Sequence, residues 1–153
     1  METTSDPERF EMFVRRVEPP LRKALSGHLP EASVADGVAE ALGYAWEHRD
    51  RVLAMERPAG YLYRVAQTRS RRRRQGWLPW SGEASLPDIE PGLPAALADL
   101  PAGQAKAVWL VTACGWTHAE AGDALGVSAS TVSTQVQRAL VRLRTSLGVM
   151  TDG

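Results

Sequence analysis

Cysteine is nearly absent from this chain. Cys114 stands alone among 153 residues, so no intrachain disulfide can form and no multi-cysteine metal site can be built. Histidine is scarce as well: His28, His48 and His118 share no metal-ligand spacing. His118-Ala119-Glu120 has the form of the His-x-Glu of zinc deaminases, but the Pro-Cys-x-x-Cys partner is missing. Neither a P-loop nor a Gly-x-Gly-x-x-Gly run occurs. The longest apolar stretch, AVWLVTACGW, falls far short of the roughly 20 residues that span a membrane. The N-terminal METTSDPERFEMF lacks the basic-then-apolar order of a signal peptide, and no segment alternates like a strand. Together these absences predict an all-α, cytoplasmic protein with no enzymatic chemistry, no cofactor and no membrane segment.

What the chain does contain is unevenly distributed. The apolar fraction of 44% and charged fraction of 24% are those of a folded protein, and the formal net charge is zero. Yet YRVAQTRSRRRRQGW, Tyr63 to Trp77, carries six arginines, and Glu83, Asp88, Glu90 and Asp99 follow with no basic residue before Lys106. Such asymmetry points to a polyanion as partner.

Helical periodicity flanks a breaker-rich middle. Phe10, Phe13, Val14, Val17, Leu21 and Leu25 recur at three- and four-residue steps, interrupted by Pro19 and Pro20, which predict a kink or a new start. A second run, from about Ser33 to Trp46, turns Val34, Val38, Ala41, Leu42, Ala45 and Trp46 inward. A third opens at Pro58, a favourable first helical residue, and puts Tyr61, Leu62, Val65 and Ala66 on one side. From Gln75 to Leu100 glycine and proline interrupt any period. A structureless loop of that length is unusual inside one compact domain. The expected organisation is therefore two small helical domains joined by a flexible linker, at 1–75, 76–99 and 100–150.

The strongest local pattern is WTHAEAGDALGVSASTVSTQVQRALVRLR, Trp116 to Arg144. Thr117 and Glu120 form a capping box that starts a short helix. Gly126 is placed to end it in the left-handed conformation, and Ser128 to cap the next. Gly122, without a side chain, lets the two helices approach. This is a helix-turn-helix pattern. At 100° per residue, Ala129, Val132, Val136, Ala139, Leu140 and Leu143 share the inward face. Ser130, Thr131, Thr134, Gln137 and Arg138 point outward, with Ser133 on the flank. Short hydrogen-bonding side chains plus a cation suit base edges and phosphates in a major groove, whereas an ordinary solvated face carries Glu and Lys.

From Leu100 to Arg144 the chain resembles the promoter −35-reading domain of bacterial sigma factors of the extracytoplasmic-function type. The resemblance lies in Leu100, Pro101, Gln104, Glu120, Leu125, Gly126, Val127, Ser128, Thr131, Val132, Arg138 and Ala139. It departs at Ala121 and Gly122, and at Ser133 and Gln135, where the family often carries basic residues. VADGVAEALGYAW is similar to the family's helix for the polymerase core, with Gly37 and Ala39 as departures. RPAGYLYRVAQTRSRRRRQ is similar to its −10-reading segment, with Thr68 and Arg72 replacing Asn and Asp.

The resemblance implies a sigma factor that directs RNA polymerase core to promoter DNA, with an anti-sigma factor as a further partner. It assigns core binding to Asp36 and Glu40. The −35 contacts fall to Ser128, Ser130, Thr131, Ser133, Thr134, Gln137 and Arg138. The −10 contacts fall to Tyr63, Arg64, Gln67, Thr68, Arg71, Arg72, Arg73 and Arg74. Tyr61, Tyr63 and Trp77 are aromatics on which unpaired bases can stack. Two other readings remain: a stand-alone helix-turn-helix regulator, and a degenerate sigma-like interaction module.

Overall fold

The computed structural model describes residues 5–27, 29–73 and 93–148, with backbone alone at 70–73, 93 and 94. Every regular element among these residues is helical. The first group comprises α1 (Asp6–Ser26), α2 (Glu31–Glu47), the single turn α3 (Arg49–Val52) and α4 (Pro58–Arg73). A capping box opens α1: the Ser5 hydroxyl accepts the Glu8 N–H and the Glu8 carboxylate accepts the Ser5 N–H. Of the two outcomes expected at Pro19 and Pro20, a new start does not occur: both lie inside one continuous helix. Burial of Phe13, Val17, Leu21, Ala24 and Leu25 along one stripe outweighs two missing backbone donors. Against this stripe lie α2 and α4, which also pack on each other.

The second group comprises α5 (Leu93–Ala98), α6 (Ala102–Val108), a π-helical turn (Trp109–Ala113), α7 (His118–Leu125) and α8 (Ala129–Ser146). Here α5 occupies the end of the stretch expected to be linker. It packs on α8 and buries Ala96 and Leu97. Six residues are too few to display a helical period, and tertiary contact supplies what periodicity could not. The rest of that expected linker lies outside the described residues.

Rather than standing apart, the two groups share a buried seam. Helix α4 lies against α7. Tyr63, with no exposed surface, meets the buried Trp116 edge-on, ring centroids 5.8 Å apart. Such a pair contributes on the order of 1 kcal/mol beyond its burial. Trp109 from the π turn reaches α1, where its indole N–H donates to the Ala24 carbonyl at 3.0 Å. The π turn closes through the Cys114 N–H bonded to the Trp109 carbonyl. Two residues beyond Cys114, Trp116 bonds back to the Leu110 carbonyl.

Candidate nucleic-acid interface

The helix-turn-helix is built as its residue types dictate. The Glu120 N–H bonds the Thr117 hydroxyl at 3.0 Å, and the Thr117 N–H bonds the Glu120 carboxylate at 3.1 Å. Gly126 ends α7 at φ 72°, a conformation that costs most side chains 1 kcal/mol or more. A Cβ at Gly122 would lie 2.6 Å from the Val127 carbonyl oxygen, so only glycine permits a turn this tight. Ser128 then caps α8 by accepting the Thr131 N–H at 3.1 Å.

That geometry sorts the candidate −35 residues. Val132, Val136, Ala139 and Leu143 are buried, and α6 and α5 cover their face. Leu140 is half-buried, while Ala129, expected inward, is exposed because it sits at the first helical position, ahead of the packed face. Ser130, Thr131, Thr134, Gln137 and Arg138 are all exposed, and Ser133 is half-buried on the flank. Ser128 contacts both the Thr131 and Ser130 hydroxyls, and Thr134 donates to the Ser130 carbonyl. Ser128 thus serves the helix start as much as any ligand, while Gln137 and Arg138 extend beyond it.

On α4 the outcome is divided. Arg64 is exposed and its guanidinium rests beside the α7–α8 turn, 3.4 Å from where a Gly126 Cβ would be. Thr68 is exposed and donates to the Arg64 carbonyl. Gln67 is half-buried. Tyr63 is no stacking platform in this arrangement. Its full burial, which raises the phenol's pKa well above the usual value, follows from packing that a helical projection of α4 alone does not contain. The backbone of Arg71, Arg72 and Arg73 continues α4; their side chains, and all of Arg74 and Trp77, lie outside the described residues.

A cluster that sequence reasoning missed sits at the base of α4. The Tyr44 and Tyr61 hydroxyls are 2.7 Å apart, and Arg51 donates to both. Arg69 lies over the Tyr44 ring at 5.3 Å. With Arg64, Val65 and Thr68 these rings line a hollow of about 280 Å³. Tyr61 titrates above its usual range, chiefly through its bond to Tyr44 and then through burial. No local pattern announces the site, because its residues come from α2, α3 and α4. Arg57, just before α4, also crosses to α7 and bonds Asp123 at 2.9 Å. Beside that pair a cleft of about 570 Å³ runs between Arg57, Tyr61 and Arg64 on one wall and Asp123, Gly126 and Ser128 on the other.

On α2, Asp36 is exposed and Glu40 half-buried, one turn apart. Gly37 is buried, so the departure there alters the interior rather than the outer face; Ala39 is exposed. Trp46, expected inward, is 38% exposed at the end of α2. Phe10 packs edge-on to it and the Arg49 guanidinium covers it at 4.3 Å. No group of three or more metal-ligating side chains occurs among the described residues. Nor does any helix among them have the length and apolarity to cross a membrane.

Residues 92–143 match the family described as Sigma-70, region 4. Comparison with curated proteins yields no match. Among solved structures, the chain is similar to the sigma factor RpoE in a complex with the anti-sigma factor NepR from Bartonella quintana. The two are 24% identical with a TM-score of 0.68, over 94% of this chain and 98% of that one. CnrH, solved with the cytosolic domain of CnrY, is 25% identical with a TM-score of 0.63, over 93% of this chain and 89% of that one. The C-terminal group thus carries a sigma-70 region 4 helix-turn-helix, and the fold over both groups is similar to that of the sigma factor RpoE and of CnrH.

Proposed function

We propose that this factor works in the cytoplasm, without catalysis of its own, by carrying RNA polymerase core to a restricted set of promoters. Residues 1–75 form the unit for core and the −10 element, 76–99 the connector, and 100–150 the −35 unit. Asp36 and Glu40, one turn apart on α2, meet the core enzyme. The outer face of α8 enters the −35 major groove, with Ser130, Thr131, Thr134, Gln137 and Arg138 toward bases and phosphates and Ser128 and Ser133 at its edges. Arg64 and the arginines from Arg71 to Arg74 hold the −10 backbone, releasing counterions as they do. Thr68 and Gln67 lie along the same helix.

Of the aromatics expected to stack on bases, Tyr61 keeps that part, with Tyr44 beside it in place of Tyr63. Their hollow offers two aromatic rings, and Arg51 and Arg69 beside them, to an unpaired base and its phosphate. Two weak sites on one chain raise each other's effective concentration, so promoter spacing is read as well as sequence. Because both solved relatives are captured with a partner, the cytosolic domain of CnrY or the anti-sigma factor NepR, an anti-sigma factor is the expected regulator.

The observation that carries this reading is the outward face of α8, polar and exposed on a capped helix-turn-helix within the sigma-70 region 4 match. The experiment is binding of labelled protein to bacterial core polymerase with a housekeeping sigma factor as competitor, followed by initiation on promoter DNA. Saturable, competitive binding is expected. Failure to bind core by a folded sample, together with tight sequence-specific binding of DNA alone, would instead identify a stand-alone regulator. Core binding without initiation would identify a degenerate interaction module.

A further inference from the structure

We propose that α8 reads its DNA with a polarity set by its own hydrogen bonds. Its leading end, Ser128 to Thr134, presents lone pairs and methyl groups, and so selects A·T pairs and excludes guanine. Gln137 and Arg138, farther along, supply the donors that a purine N7 and a guanine O6 need. The proposal rests on the −35 reading above and adds which bases that face takes.

A serine or threonine hydroxyl carries one proton and two lone pairs, so a free one meets either kind of base edge. On α8 most of these protons are already committed. The Ser128 oxygen accepts the Thr131 N–H at 3.1 Å, which leaves it one lone pair. It also lies 3.2 Å from the Ser130 hydroxyl and 2.9 Å from that of Thr131. One of these two hydroxyls can donate into the remaining lone pair; to the other, Ser128 must itself donate. Thr134 donates to the Ser130 carbonyl at 3.2 Å. Of the four hydroxyl protons on Ser128, Ser130, Thr131 and Thr134, three are therefore engaged, whichever way the pair is assigned. Beyond the one proton left, a hydroxyl donates to a base only by giving up a bond within its own helix.

What this end offers outward is acceptor capacity and apolar carbon. Ser128, Ser130, Thr131 and Thr134 are exposed, and so is Ala129. In the major groove adenine presents an N6 amino donor and its thymine partner a C5 methyl, whereas the guanine edge presents only the N7 and O6 acceptors. Lone pairs set against N7 and O6 leave both sides without a proton. Cytosine also carries an amino donor, but no methyl to meet those of Ala129, Thr131 and Thr134. An A·T pair satisfies both features, and guanine satisfies neither.

Farther along, the balance reverses. Gln137 and Arg138 are exposed; an amide pairs with adenine N6 and N7, and a guanidinium with guanine O6 and N7. Ser133, half-buried on the flank, stands off this line. From Thr131 to Arg138 the helix advances about 10 Å at about 1.5 Å per residue, or roughly three base pairs at about 3.4 Å each. The element that fits has a guanine at one end and, about three base pairs away, A·T pairs closed to guanine.

The test exposes the full chain, alone and with bacterial core polymerase, to a pool of duplexes randomised through the −35 region, and sequences those retained. Arg138→Ala marks the far end: the preference it relaxes, by roughly tenfold, should be for guanine. About three base pairs from it the retained duplexes should carry A·T pairs and almost no guanine. Base analogues in a retained duplex then separate the atoms while leaving the protein unmodified. Replacing those adenines by purine, which lacks the N6 amino group, or their thymines by uracil, which lacks the methyl, should each weaken binding severalfold. Replacing the same adenines by 7-deazaadenine should leave binding unchanged, since N7 calls for a donor. Guanine enriched at the leading end, or sensitivity there to N7 instead of N6, would overturn the proposal. So would equal weakening of every duplex by Arg138→Ala, or retention of no common sequence in either sample. A common sequence retained by the chain alone, with no binding to core, would remove the sigma-factor reading and still decide the polarity.

Discussion

At the scale of single residues, burial changes what two reactive groups can do. Cys114 lies against α1, and burial pushes its thiol from an ordinary 9.0 up to about 12, with the nearby Lys23 charge opposing. Tyr63 is raised for the same first reason, burial. Both groups hold their protons more tightly folded than unfolded. Their contribution to stability is therefore complete below pH 9 and declines as pH rises through the interval toward the folded values. Urea unfolding at pH 8, 9, 10 and 11 should show a falling midpoint above pH 9, and in Tyr63→Phe the fall should be smaller. Gly126 is the opposite kind of residue, chosen for its backbone. Gly126→Ala at φ 72° should cost about 1 kcal/mol, measured as a lower urea midpoint; an unchanged midpoint would mean that the turn relaxes.

At the scale of elements, α8 divides its work between two faces. Val132, Val136, Ala139 and Leu143 fasten it to α6 and α5, which leaves the outer face exposed for the proposed −35 contacts. Thr134→Ala with Arg138→Ala should change which −35 sequences are preferred, without moving core affinity. Each lost base contact should reduce discrimination by about 1–3 kcal/mol, seen by titrating a panel of −35 variants. Equal weakening on every sequence would show that this face holds phosphate rather than reads bases. In α4 the two roles overlap along one helix: Leu62, Tyr63 and Ala66 are buried, whereas Arg64 and Thr68 are exposed.

At the scale of the whole molecule, the seam between the halves is mainly apolar. Trp109, Trp116 and Tyr63 are buried in it, and the cation pairing across the rim, Arg57 with Asp123, is about two-fifths exposed. Exposed pairs contribute little to stability and are screened by salt, while burial of aromatics is not. Scattering of the unmodified chain should therefore be the same at about 0.1 M and 1 M salt, between which the screening length falls from roughly 10 to 3 Å. Opening with salt would assign closure to charge instead of to the buried aromatics.

How much of this was legible depended on how local the cause was. The capping box at Thr117, the left-handed Gly126, the cap at Ser128 and the outward face of α8 all follow from residues within one or two helical turns, so the sequence by itself determined them. So did the existence of α2 and α4, since their apolar spacing repeats. Continuity of α1 through Pro19 and Pro20 was decided by what its stripe packs against, and α5 exists because α8 covers it. The Tyr44–Tyr61 hollow, the burial of Tyr63 and the bond from Trp109 to Ala24 join residues up to 85 positions apart. Such contacts leave no periodic trace, because each partner's own neighbourhood reads the same with or without the other. Only the tertiary structure decided them.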